Sequence, residues 1–115
     1  MNIRQYVVIL LLALVCAPTY AGFLAGNDLV ENMREFDKIH VTDDYNIFKA
    51  SAYHGYVAGV FDTLFSQGKI CASADVTHAQ INAIVAKYLK ENPAKWAQPA
   101  DQLIYLAFLP AFPCD

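Results

Sequence analysis

Two residues of this chain, Cys71 and His78, have the types and spacing of a nucleophile and its base. They lie seven positions apart, and an imidazole that activates a thiol is the arrangement of nucleophilic catalysis. The sequence places no third group that would orient the imidazole, so the pair is incomplete as a catalytic unit. The alternative is that Cys71 is a structural cysteine with a covalent partner.

The first residues of the chain determine which cysteines are expected in the mature protein. One positive residue, Arg4, precedes the apolar run Tyr6–Cys16, and small residues follow up to Ala21. This is the pattern of a secretory signal peptide, and we expect cleavage after Ala21. A lipoprotein anchored through Cys16 is the alternative, although Val15 is bulky where lipidation signals usually have a small residue.

Cleavage would divide the chain into a signal peptide over residues 1–21 and a single helical domain over residues 22–115. Losing Arg4, the leader's one charged residue, changes the formal net charge from −3 to −4. An acidic balance argues against nucleic acid and anionic membrane surfaces as partners, and it allows a basic protein. No membrane association is predicted after cleavage.

The exported domain would keep two cysteines, Cys71 and Cys114. In an oxidising compartment they most simply form one disulfide. Closing a loop of this length stabilises a protein by about 4 kcal/mol in the chain-entropy model, which is close to the whole net stability of a small domain.

The other ionisable residues form no recognisable site. His40, His54 and His78 have no partners at metal-ligand spacing, and no glycine-rich phosphate loop follows a strand. Asp62 is best explained as a solvated or capping acid rather than a general base. No catalytic residue, metal or cofactor is predicted, and the chain is not expected to be an enzyme.

The pattern after residue 21 predicts an all-α bundle of four main helices. Asn27 is a plausible N-cap of the first. Thr42 would cap the second, which runs to about Gln67 with Gly68 as its stop. Its expected inward face consists of Tyr45, Phe48, Ala52, Tyr56, Val60 and Leu64.

The last two helices carry their own boundary signals. Thr77 and Gln80 form a capping box that begins the third helix. Pro99 is a good first residue for the fourth, and Pro110 must end or kink it. With Cys71 between the second and third helices, the disulfide would join that loop to the C-terminus.

Small residues in the second helix indicate a close approach of another backbone. Ser51, Gly55 and Gly59 recur every four residues, and an interior glycine costs a helix about 1 kcal/mol relative to alanine. Either another helix of the chain packs there, or the stripe is the seam of a symmetric dimer.

The loop between the third and fourth helices holds the only tryptophan, Trp96, next to Lys95. An aromatic side chain in a short, proline-bounded loop suits a binding surface. Equally, Trp96 could fold back to cover a thin core.

Several segments in order resemble one family. They are "GYVAGVFD" from Gly55 to Asp62, Cys71 followed by Thr77, "VAKYLKENP" from Val85 to Pro93, and "AFPC" from Ala111 to Cys114. The pattern resembles the Rap/Tai immunity proteins of type VI secretion and covers nearly the whole exported chain. The resemblance implies a small periplasmic protein, a homodimer in the better-known members, that binds and blocks a peptidoglycan amidase delivered by a neighbouring cell.

The resemblance also implies a site. In the family the loop between the third and fourth helices inserts into the toxin's cleft, which maps here to Asn92, Lys95, Trp96 and Gln98. Relatives often carry a second cysteine pair, and the aligned positions are Met33 and Tyr53. Both are apolar here, as expected for a lost disulfide.

Two other functions remain open from the sequence. One is a small periplasmic chaperone of the acid-stress type, which would bind many unfolded clients instead of one tight partner. The other is an immunity fold reused for an unrelated periplasmic role.

Overall fold

The computed structural model describes residues 1–13 and 22–115. Its five α-helices are α1 (Ile3–Ala13), α2 (Gly26–Asp37), α3 (Ile47–Ser66), α4 (His78–Glu91) and α5 (Ala100–Phe108). Two short 3-10 segments, Lys38–His40 and Pro93–Lys95, follow α2 and α4. The predicted cleavage point and Cys16 lie outside the described residues. Within them, no helix is both long and apolar enough to cross a membrane.

Helices α2 to α5 are the four predicted ones, and they pack around one core. Its largest fully buried side chains include Leu29, Met33, Tyr53, Val57, Val85, Leu89, Leu103, Ile104 and Phe108. By contrast, the residues of α1 from Ile3 to Leu12 are exposed. The all-α fold is confirmed, with α1 as one helix more than the four main helices of the prediction.

The second predicted helix begins later than expected. Thr42 does not cap α3, because its Oγ1 accepts a hydrogen bond from the Asp44 amide at 3.1 Å and so closes a turn. Asn46 is the N-cap, and its Oδ1 accepts from the Lys49 amide at 3.1 Å. The Glu35 carboxylate fixes this start from α2 by accepting from the Asn46 amide at 2.8 Å.

The predicted inward face of α3 was only partly right: Leu64 is buried and Tyr56 and Val60 pack half-buried against the core, whereas Ala52 is exposed. The buried side chains are Ala50, Tyr53, Val57 and Leu64, whereas Phe48 is 84% exposed. Apolar residues occur on nearly every side of α3, so their periodicity could not select one face. Packing against α2 selects it, since α2 and α3 make the most extensive contact in the bundle.

The other helix boundaries fall close to their sequence signals. The capping box of Thr77 and Gln80 is present, which confirms the predicted start of α4. The N-cap of α2 is Ala25 rather than Asn27. Pro99 precedes the first residue of α5 instead of occupying it, and α5 ends before Pro110.

A disulfide joins Cys71 to Cys114, with their Cα atoms 5.0 Å apart. The prediction of a link between the α3–α4 loop and the C-terminus is confirmed, and with it the alternative of a reduced, nucleophilic Cys71 is excluded for this form. The Cys71 amide also donates to the Phe112 carbonyl at 3.0 Å. The Phe112 ring packs edge-on against Phe61 and is tilted against Phe108. The chain end is therefore held covalently and by packing.

Candidate functional site

The loop between α4 and α5, residues 92–98, is a compact turn stabilised by its own backbone. The Lys95 amide donates to the Asn92 carbonyl at 3.0 Å, and the Trp96 amide donates to the Pro93 carbonyl at 3.3 Å. The Gln98 amide then donates to the Lys95 carbonyl at 3.0 Å. Such a loop has little conformational entropy left to lose when it binds a partner.

Trp96 folds back onto the core. Its Nε1 donates to the Leu89 carbonyl at 2.8 Å, and its half-buried ring packs against the core. On the other side, the Arg34 guanidinium lies 5.3 Å from the ring centroid, within the range of a cation–π contact. The structure therefore favours the second sequence alternative, in which Trp96 folds back to cover the core, and this contact also anchors the loop.

Asn92 and Gln98, at the two ends of the loop, are half-buried and also face the bundle. The Asn92 side-chain amide donates to the Tyr88 carbonyl at 2.8 Å. Gln98 Oε1 is buried and accepts no hydrogen bond from residues 1–13 or 22–115. These two side chains shape the loop more than they present a surface.

Lys95 is the charged group at the exposed tip of the loop, where its neighbours Pro93, Ala94 and Ala97 are exposed as well. Its Nζ lies 5.8 Å from the centroid of the Tyr88 ring and 3.4 Å from the Tyr88 hydroxyl. The tip therefore presents one positive charge above a small, largely apolar surface.

The base of the loop pairs with the first residue of α2 and with the residues just before it. The Gly26 amide donates to the Gln98 carbonyl at 2.8 Å, and the Ala100 amide donates to the Leu24 carbonyl at 3.1 Å. A Cβ atom on Gly26 would lie only 2.4 Å from the Trp96 carbonyl oxygen and 2.7 Å from that of Gln98. Only glycine lets α2 approach the loop this closely, a role that the sequence did not reveal.

The small residues of α3 line a different surface. Gly55 and Gly59 border an open groove of about 720 Å³ between α3 and α5, whose other walls include Tyr56, Val60 and Tyr105. Apart from the adjacent residues and the backbone of the same helix turns, no atom of the described residues comes within 4 Å of a Cβ built on either glycine. Close packing by another helix of the same chain, one of the two alternatives, is therefore wrong for Gly55 and Gly59. Ser51 is exposed nearby on the same helix, and the dimer seam stays a prediction.

The sequence that forms these helices, the disulfide and the α4–α5 loop matches a known protein family. The model of the Rap1a immunity proteins matches residues 25–114. The chain belongs to the Rap1a immunity protein family. This confirms the resemblance to Rap/Tai immunity proteins. No curated protein matches the chain.

Membership of the Rap1a family gives the protein a role in toxin immunity and implies a toxin protein as its partner. The match begins at Ala25, next to the Gly26 contact, and ends at Cys114 of the disulfide. It therefore spans the Gly26 contact, the α4–α5 loop and the disulfide. No group of three or more His, Cys, Asp or Glu side chains is arranged to hold a metal within the ranges that the structure describes.

Proposed function

We propose that this Rap1a protein acts in the periplasm, after its leader is cleaved, and neutralises a peptidoglycan amidase delivered by type VI secretion. The α4–α5 loop would occupy the amidase's substrate groove. The observation that supports this is the construction of the loop: an exposed tip that contains Lys95 rests on the anchor Trp96 and on the Gly26 contact. Inhibition would need no chemistry from the inhibitor, since a rigid segment that fills a groove excludes the substrate.

Two measurements together test the proposal: inhibition of the amidase in solution and protection of cells against it. The purified protein should inhibit peptidoglycan hydrolysis by a type VI amidase that it captures, and its expression should protect cells into whose periplasm that amidase is directed. Removing residues 1–21 should abolish protection and leave inhibition in solution intact. Protection without the leader would contradict the periplasmic location, and capture without inhibition would contradict the groove mechanism.

Lys95→Ala should weaken amidase binding about tenfold and leave the stability of the protein unchanged. The side chain is exposed at the loop tip, and losing a charged contact that is only partly desolvated typically costs about 1 to 2 kcal/mol. The measurement is the dissociation constant by isothermal titration calorimetry, together with the urea midpoint.

Lys87→Ala is the matched control for that prediction. Lys87 is an exposed lysine of α4 outside the loop, so its removal makes the same change in net charge. If the two variants weakened binding equally, the effect would come from overall charge. That result would contradict the assignment of the α4–α5 loop as the amidase contact.

We also propose that the groove beside Gly55 and Gly59 is the seam of a homodimer. Two glycines inside a helix are unfavourable, and the described chain offers them no close neighbour. The walls of the groove are largely apolar. A second copy of the same surface would bury these walls. Its backbone could approach α3 closely, because the two glycines have no side chains.

The double variant Gly55→Ala, Gly59→Ala should raise the stability of the monomer by up to about 1 kcal/mol per site, because alanine favours the helix and each Cβ has room. The same variant should weaken self-association if another backbone packs against the glycines. Sedimentation velocity measures the association, and dilute-solution melting measures the stability.

Phe48→Ala provides the control for association, since Phe48 is exposed on α3 but is not part of the groove. It should leave the dimer intact. A wild-type protein that stays monomeric at high concentration would end the seam proposal while leaving the amidase proposal standing.

A further inference from the structure

Two histidines that are far apart in the sequence meet between α3 and α4. His54 Nε2 and His78 Nδ1 are 3.0 Å apart, and the ring centroids are separated by 4.8 Å. The half-buried ring of His54 stacks on Phe36 at 6.0 Å, with an angle of 11° between the ring planes. His78 is exposed. The two nitrogens therefore face each other at the surface, and one of the rings is held by packing.

A third side chain holds the other nitrogen of His54. The amide of Asn82, one turn after His78 on α4, lies 2.8 Å from His54 Nδ1. Asn82 is only 3% exposed, and its Oδ1 has no hydrogen-bond partner within the described part of the chain. Because the amide can be turned end for end, Asn82 can present either its nitrogen or its oxygen to His54 Nδ1, whichever the imidazole tautomer requires.

We propose that His54 Nε2 and His78 Nδ1 bind a divalent transition-metal ion of the kind that prefers imidazole, such as Zn²⁺, with water completing the coordination. Tetrahedral Zn²⁺ bound at 2.0–2.1 Å places two nitrogen ligands about 3.3 Å apart. The observed 3.0 Å is only a few tenths of an ångström shorter, and the two rings would also turn so that their lone pairs converge on the ion. This site does not depend on the proposed immunity role. It would give the protein a metal ion as a second ligand, besides the toxin.

Asn82 is suited to orient the metal-binding tautomer. A histidine that binds metal through one nitrogen usually donates its other N–H to an oxygen acceptor. When His54 binds through Nε2, its Nδ1 carries the proton. A half-turn of the Asn82 amide places Oδ1 where it accepts that proton, and this exchange leaves the number of unpartnered amide atoms unchanged.

Metal binding would link α3 directly to α4, two helices that the disulfide does not join to each other. His54 lies near the middle of α3, and His78 is the first residue of α4. The disulfide joins the chain elsewhere, between the α3–α4 loop and the C-terminus. A ligand that binds the folded state alone raises the melting temperature as its concentration rises above its dissociation constant.

Zn²⁺ titration of the full, disulfide-bonded chain tests the proposal. Zn²⁺ should raise the melting temperature, and calorimetry should show a site that is lost in both His54→Ala and His78→Ala. His40→Ala is the matched control, because His40 is exposed at the end of the 3-10 segment after α2. All four proteins keep Cys16, so any binding by its thiol cancels in the comparison.

Two further measurements separate a built site from independent surface histidines. Nitrogen-15 spectra of the rings should show Zn²⁺ on Nε2 of His54 and on Nδ1 of His78. Asn82→Ala keeps both ligands and should weaken Zn²⁺ binding roughly tenfold or more, which is the usual cost of losing such a partner. Equal affinities in the wild type and either single-histidine variant would overturn the proposal, as would binding through Nε2 of His78 or an Asn82→Ala variant with unchanged affinity.

Discussion

Gly26→Ala should lower the free energy of unfolding by about 3 kcal/mol or more, near the upper end of the cost of overpacking. The added Cβ would stand 2.4 Å from the Trp96 carbonyl oxygen and 2.5 Å from Leu103 Cδ1. A leucine methyl group can move, but a backbone carbonyl moves only with its segment. Alanine's better helix propensity offsets at most about 1 kcal/mol of this cost.

The same substitution should displace the α4–α5 loop, because two of the clashing atoms, the carbonyl oxygens of Trp96 and Gln98, belong to it. The indole of Trp96 is the only one in the chain, so its fluorescence reports the loop directly. Urea titration followed by Trp96 fluorescence measures both effects.

Gly22→Ala is the matched control for this experiment. A Cβ on Gly22 would meet its nearest neighbour, Pro99 Cβ, at 3.9 Å, which is ordinary contact. Its stability and fluorescence should equal those of the wild type. A Gly26→Ala protein with unchanged stability would mean that α2 and the loop can separate at little cost, and the account of the loop's base would be wrong.

Removing the disulfide should have an effect of similar size. Cys71→Ser, Cys114→Ser should lose about 4 kcal/mol, the chain-entropy value for a loop of this length. For a domain of this size that corresponds to a fall in melting temperature on the order of 15–30 °C. The aromatic packing of Phe112 against Phe61 and Phe108 remains, so the variant should fold at low temperature.

Reductant provides the internal control for the disulfide. It should lower the melting temperature of the wild type toward that of the double variant and have no effect on the variant itself. If thiol quantification showed full reduction and the wild type still melted at its original temperature, the covalent link would contribute nothing to stability.

The two positions at which the resemblance implies a further cysteine pair, Met33 and Tyr53, are both buried in the core. Met33 and Tyr53 are 2% and 0% exposed, on α2 and α3. The Tyr53 hydroxyl donates to the Asn82 carbonyl at 2.6 Å, and burial raises the pKa of this phenol. Tyr53 therefore stays a neutral donor at physiological pH. Packing holds α2 against α3 at these two positions, and the Tyr53 hydrogen bond joins α3 to α4.

Local signals predicted the features that depend on neighbouring residues. The capping box of Thr77 and Gln80 needs only four residues, and the Cys71–Cys114 pair followed from there being two cysteines after the expected cleavage point. The start of α3 was missed because Thr42 and Asn46 are both good caps, and Glu35 of the preceding helix selects the second one.

Contacts between distant segments could not be predicted in the same way. His54 and His78 are 24 residues apart, and their meeting depends on how α3 crosses α4. The sequence contained part of this information, since the spacing of His78 and Asn82 places both on one face of α4. The half-burial of Trp96 depends equally on where α2 brings Arg34, which the loop sequence does not contain.

The position of the disulfide has a consequence for the loop that it encloses. Cys71 and Cys114 close a covalent ring that contains α4, α5 and the whole of residues 92–98. A hydrolase that cut the loop tip once would leave two fragments joined through the sulfur atoms. The cut ends would stay close together on the Trp96 and Gly26 contacts. A molecule cut in this loop would thus remain one covalent unit. Both halves of the loop would stay in position to contact a bound partner protein.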